Sequence, residues 1–139
     1  MKSILTALLT SLLLSLSTHT LADYIAGEQA NQKGDRSTAF KEFTAAAEQK
    51  DIRAYGKLGS FYLYGLGTEK DYHKAYIWFN AAYLTGDINA ARFRDAASST
   101  MTRKQYDEAV EAAEKLRIKQ GIELPKPTQR VTSPDKKAS

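Results

Sequence analysis

Apolar residues recur at helical spacing along most of the chain, and the clearest stretch runs from Ala54 to Ala82. Ala54, Leu58, Phe61 and Gly65 share one stripe there, with Tyr55, Gly59 and Tyr62 on the stripe beside it. Arg53, Lys57, Ser60 and Tyr64 form a third stripe that is mostly polar and not needed for packing. After the loop Gly65-Leu66-Gly67, Ala75, Phe79 and Ala82 stand at i, i+4 and i+7. Two apolar helical patterns around a glycine loop predict a helical hairpin. Gly59 inside a helix costs about 1 kcal/mol relative to Ala, and its placement predicts a close helix crossing.

The hairpin repeats. At an offset of 36 residues Asp35 falls on Asp71, Ala39 on Ala75, Phe40 on Tyr76, Phe43 on Phe79, and Asp51-Ile52 on Asp87-Ile88. A third, more worn copy at an offset of 34 lays Ala109 and Ala113 on Ala75 and Phe79. The pattern predicts helices over about Asp23 to Lys33, Arg36 to Gln49, Ile52 to Tyr64, Tyr72 to Leu84, Ile88 to Ser99 and Arg103 to Lys119. Asp35, Asp71 and Thr102 precede three of these as side-chain acceptors for orphan first-turn amides, and Thr102 with Gln105 has capping-box spacing.

Composition changes the picture at both ends. Lys2 followed by an apolar run from Ile4 to Leu16 and the small-residue site Thr20-Leu21-Ala22 reads as a secretory signal peptide over residues 1–22, cleaved after Ala22. The run is too short to span a bilayer comfortably. From Gln120 onward Pro125, Pro127 and Pro134 sit among Lys, Thr, Ser and Gln, so residues 120–139 are expected to form a disordered tail. The repeat domain is thereby bounded at 23–119.

Charge and chemistry then exclude more than they add. The chain of 139 residues has no cysteine, which removes disulfides, thiolate metal sites and a lipidated cysteine anchor. A formal charge of +4, with cations and carboxylates interspersed, argues against nucleic acid. His73 is the only histidine after the leader and has no soft ligand beside it. Gly65 and Gly67 follow a helix, not a strand, and lack a phosphate-loop pattern. Ser133 to Lys136 has S-x-x-K spacing but lies in the tail without companion motifs. Glu108, Glu111 and Glu114 read as a solvated helix face, with Glu111 placed to pair Lys115. Neither an enzyme nor any cofactor or metal is expected. Tyr55, Tyr62, Tyr72, Tyr76, Tyr83 and Trp78 are expected between helices, and Tyr64 outside.

Ala54, Leu58-Gly59, Tyr62, Gly65-Leu66-Gly67, Lys70-Asp71, Lys74-Ala75, Trp78-Phe79, Ala81-Ala82 and Gly86 together resemble a Sel1-like repeat, a longer relative of the tetratricopeptide repeat. The preceding unit keeps Gly27, Ala30, Ala39, Phe43 and Ala46 but has no glycine loop, and in the third Arg94 and Asp95 stand where Leu-Gly would. The resemblance implies an all-α, right-handed α-α superhelix of about three helix pairs that binds a protein or peptide on its concave face. Carried over residue by residue, that face comprises Tyr24, Glu28 and Asn31, then Arg53, Lys57, Ser60 and Tyr64, then Asn89 and Arg92. Four of these are the polar stripe set apart by periodicity. The expected role is a periplasmic interaction module, monomeric or weakly self-associating, with no stable membrane insertion after cleavage. An immunity or inhibitor protein acting on an envelope-targeted enzyme is the alternative.

Overall fold

The structure, a computed structural model, describes residues 23–124. The expected leader and the tail from 125 onward lie outside the described residues. Among the described residues there are six helices and no strand: α1 (residues 23–32), α2 (Arg36–Glu48), α3 (Arg53–Tyr64), α4 (Tyr72–Leu84), α5 (Ala90–Ser98) and α6 (Arg103–Gln120). The fold is an all-α superhelix of helix pairs. Three of the starts are fixed as the side chains predict. Asp35 accepts from the Thr38 amide at 3.0 Å and Asp71 from the Lys74 amide at 2.9 Å. Thr102 and Gln105 close a reciprocal capping box. Gln120 completes α6 and is buried with Ile122, so packed structure continues beyond the expected limit at 119.

A glycine faces a phenylalanine in each of the first two pairs. A Cβ on Gly27 would stand 2.7 Å from the Phe43 ring, and one on Gly59 would stand 2.7 Å from the Phe79 ring. No real side chain fits at that distance, which accounts for glycine inside both helices. Gly27 and Gly59 are 32 positions apart and Phe43 and Phe79 are 36 apart, because the second pair's loop (65–71) is longer than the first pair's (33–35). The extra length is seated on the first unit: a Cβ on Gly67 would lie 2.2 Å from the Arg36 carbonyl oxygen, and Gly67 has φ +65°.

Helix α4 is the hub, since α3, α5 and α6 all pack against it. Phe79 stacks on Phe93 of α5 at 5.3 Å, and Tyr76 meets Tyr106 of α6 edge-on at 5.6 Å. Burial, then the neighbouring Tyr106 hydroxyl, pushes the Tyr76 phenol up to about 12. Tyr55 and Tyr76 are buried and Tyr62 and Trp78 half-buried, as expected. Tyr72 and Tyr83 are instead at the surface. Tyr72 is the first residue of α4 and lies under Lys70, while Tyr83 in the last turn lies under Arg94.

The helices have a common polarity within each layer. Gln49, past the end of α2, donates to Asp23 at the start of α1, and Gln120 at the end of α6 donates to the Ala47 carbonyl at 3.2 Å. Arg53, opening α3, lies over Tyr24. The starts of α1 and α3 and the ends of α2 and α6 therefore share one end of the array.

Candidate functional site

A groove of about 450 Å³ opens beside α3. One wall is α3, with Ile52, Arg53, Gly56, Lys57 and Ser60. Phe79, Ala82 and Thr85 of α4 and its C-cap make the floor, and Asp87 with Phe93 completes the far side. The floor is apolar because the Phe79 ring that fills the space left by Gly59 also stacks on Phe93. Gly56 keeps the wall low, since a Cβ there would approach the Asp87 carboxylate at 3.3 Å.

The cations on this wall are held by neighbours from the first unit and the preceding turn. Lys57 Nζ lies 2.8 Å from Glu28 Oε1 and 5.9 Å from the Phe43 ring centre. The Arg53 guanidinium donates to Asp51 at 2.9 and 2.5 Å and lies 4.4 Å from the Tyr24 ring centre. The Arg53 hydrogen bond holds the Asp51 carboxyl below the usual carboxylate range, and Arg53 is raised in return. Each guanidinium or ammonium thus keeps one neutralising partner and still faces the groove. Ser60 donates to the Gly56 carbonyl at 3.0 Å and presents little beyond a small polar edge.

Of the nine residues assigned to the concave face, Arg53, Lys57 and Ser60 line the groove. Tyr24 and Glu28 hold two of them in place. Asn89 is exposed next to Asp87, whose carboxylate accepts its amide at 3.1 Å, and Arg92 lies over the Phe93 ring at 5.6 Å. Asn31 and Tyr64 stand elsewhere. Asn31 accepts from Arg36 at the loop end of α1, and Tyr64 is exposed in the last turn of α3. Asp87, Phe79 and Phe93 belong to the groove but not to the sequence-based set. The match of Asp51-Ile52 to Asp87-Ile88 at the 36-residue offset marks Asp87 as part of the repeat but not as a groove residue. Phe93 had no such signal.

No group of three or more His, Asp or Glu side chains able to hold a metal ion occurs among the described residues. Nor is any described helix long and apolar enough to cross a membrane. Two helix pairs locked glycine to phenylalanine, with a third packed on the second, make this an α-α repeat array. The array has a named counterpart among known proteins. Over 79% of this chain and 27% of the other, it superposes with a TM-score of 0.65 and 26% identity on c5321, described as a protective antigen present in uropathogenic Escherichia coli strains and displaying an SLR fold. Fifty residues, 36% of the chain, are 51% identical to an uncharacterised Sel1-like repeat-containing protein of Schizosaccharomyces pombe. The chain spans 8% of that protein's length. No family model matches the chain. The Sel1-like resemblance is thus matched by similarity in sequence over 50 residues and by similarity in fold.

Proposed function

We propose that this protein is an exported, non-enzymatic interaction module that holds a segment of a partner protein in the groove between α3 and α5. One observation carries the reading. The polar stripe Arg53, Lys57 and Ser60 is spared from packing and forms the wall of a groove whose floor is apolar. Such a surface offers a buried anchor site with a charged rim, the usual division between the core and edge of an interface. The composition of residues 1–22 supports export to the periplasm, and mass spectrometry of the mature protein should find Asp23 at its N-terminus.

The groove is tested by photocrosslinking in cells. A photoreactive residue at Ser60 should yield a discrete adduct, and one at Tyr72, at the other end of the array, should not. Filling the groove with Ser60→Trp, in a chain with a photoreactive residue at Arg53, should abolish the adduct while helicity and Tm are retained. An adduct that survives Ser60→Trp, or none from Ser60, overturns the groove as the binding site.

A further inference from the structure

The groove has a filled counterpart one unit earlier in the same chain. Asp51, Arg53 and Lys57 correspond to Asp87, Asn89 and Phe93 at the 36-residue offset, and Tyr24 and Glu28 correspond to Gly56 and Ser60 at the 32 positions that separate Gly27 from Gly59. The contacts keep this register. Asp51 accepts the Arg53 amide at 3.1 Å and Asp87 the Asn89 amide at 3.1 Å, and Lys57 lies over the Phe43 ring as Phe93 lies on that of Phe79. Between the first and second pairs the space is occupied by the Arg53 guanidinium, which is bidentate on Asp51 and lies over Tyr24, with the Lys57–Glu28 ion pair beside it. Between the second and third pairs Asn89 gives Asp87 only its backbone amide, Gly56 has no ring and Ser60 has no charge. The groove is the volume that those smaller side chains leave open.

We infer that the partner segment places an arginine side chain in this opening, with its guanidinium on Asp87 as that of Arg53 is on Asp51, a step that rests on the groove being the partner site. Charge favours it. Both cations of the α3 wall are already neutralised, Arg53 by Asp51 and Lys57 by Glu28, and Arg92 lies over the Phe93 ring. Asp87 forms no ion pair among the described residues and is exposed, whereas the Asp51 side chain under Arg53 is 8% exposed. The hydroxyls agree with the carboxylate. Ser60 gives its proton to the Gly56 carbonyl and Thr85 to those of Ala81 and Ala82, so each has only lone pairs left for an occupant. The open positions are therefore acceptors, and a guanidinium is a planar set of five donors with no acceptor. Its methylene stem suits the apolar floor of Phe79 and Ala82. Lysine would supply the charge without the paired hydrogen bonds. A carboxylate would compete with Asp51 and Glu28 for Arg53 and Lys57, and would lie beside Asp87.

The test titrates the purified ¹⁵N-labelled protein with four blocked tripeptides that carry arginine, citrulline, lysine or glutamate between two leucines. The arginine peptide should move the amide resonances of Gly56, Asp87 and Asn89. Citrulline, which keeps the shape without the charge, should bind about tenfold more weakly, and lysine should fall between the two. Asp87→Asn should bind the arginine and citrulline peptides alike. Asn89→Arg, which restores an internal guanidinium, should do the same while Tm is kept or raised. Equal binding of arginine and citrulline by the unaltered protein overturns the inference, as does tighter binding of the glutamate peptide. So does a preference for arginine that survives Asp87→Asn, or no movement at Gly56 and Asp87 with any of the peptides. The crosslink from Ser60 reads occupancy whatever the partner's side chain. An adduct in cells without the arginine preference therefore sinks this inference alone, and the preference without an adduct sinks the partner reading alone.

Discussion

The first two helix pairs close on themselves, whereas the two helices of the third close on α4. In the first two, a phenylalanine from the second helix presses into a glycine notch on the first, Phe43 into Gly27 and Phe79 into Gly59. In the third, Asp95 stands in place of the glycine and Ala113 in place of the phenylalanine, and α5 and α6 both pack on α4. Knob and notch are lost together. A bulky residue without the notch would clash, and a notch without the bulky residue would leave a void, so the pair tolerates removal of both better than of either. The third pair can do without them because α4 already offers each helix a surface, Phe79 for α5 and Tyr76 for α6.

The largest test of this contrast is truncation of the knob. Phe79→Ala and Phe43→Ala should each lower stability by about 3–5 kcal/mol in urea titrations. The matching deletion in the third pair, Ala113→Gly, should cost only about 1 kcal/mol. Equal losses at all three positions would show that the glycine–phenylalanine lock is not what distinguishes the pairs. Next come the loops that join the helices of the first and second pairs. Gly67→Ala combines left-handed strain with a clash against the Arg36 carbonyl and should cost about 2–4 kcal/mol. Gly34→Ala has φ +81° but open space around it, so strain alone, about 1–2 kcal/mol, should remain.

A smaller effect separates the ends of the second helices. Lys50 occupies φ +65°, the only described residue other than glycine at positive φ, where the next unit has Gly86. Lys50→Gly should raise stability by about 1 kcal/mol, and Gly86→Lys should lower it by a similar amount. The α4–α6 contact can be probed by pH. Tyr76 titrates near 10.0 when unfolded and about 12 when folded. Its contribution is therefore full below pH 10 and is lost as pH rises towards 12, because the unfolded chain ionises first. Tyr76→Phe should flatten that alkaline slope in a Tm series. If the slope is unchanged, another group carries it.

Much of the architecture was legible because its determinants are local. Asp35, Asp71 and Thr102 mark helix starts by geometry within a single turn. Gly59 announced its crossing because a helix interior does not keep glycine without a reason. The groove was only half legible. Its wall follows from periodicity within α3, but its floor depends on Phe79 meeting Phe93 across a turn, and Asp87 reaches it only because Gly56 leaves room. Tyr72 and Tyr83 were misplaced for a similar reason. Position on a helix face does not reveal that Lys70 and Arg94 cover their rings at the two ends of α4.

The hydrogen bond from Gln120 to the Ala47 carbonyl joins residues 73 positions apart, in an array whose other packing runs mostly between neighbouring helices. Repeat arrays fold quickly because their contacts are short in sequence, with units added to a growing stack. Here the final residue of the last helix returns to the first unit. The first unit is therefore tied to the last, and a chain interrupted before Gln120 keeps the local cap of α2, in which the Lys50 amide donates to the Ala47 carbonyl, but loses the link between the two ends of the array.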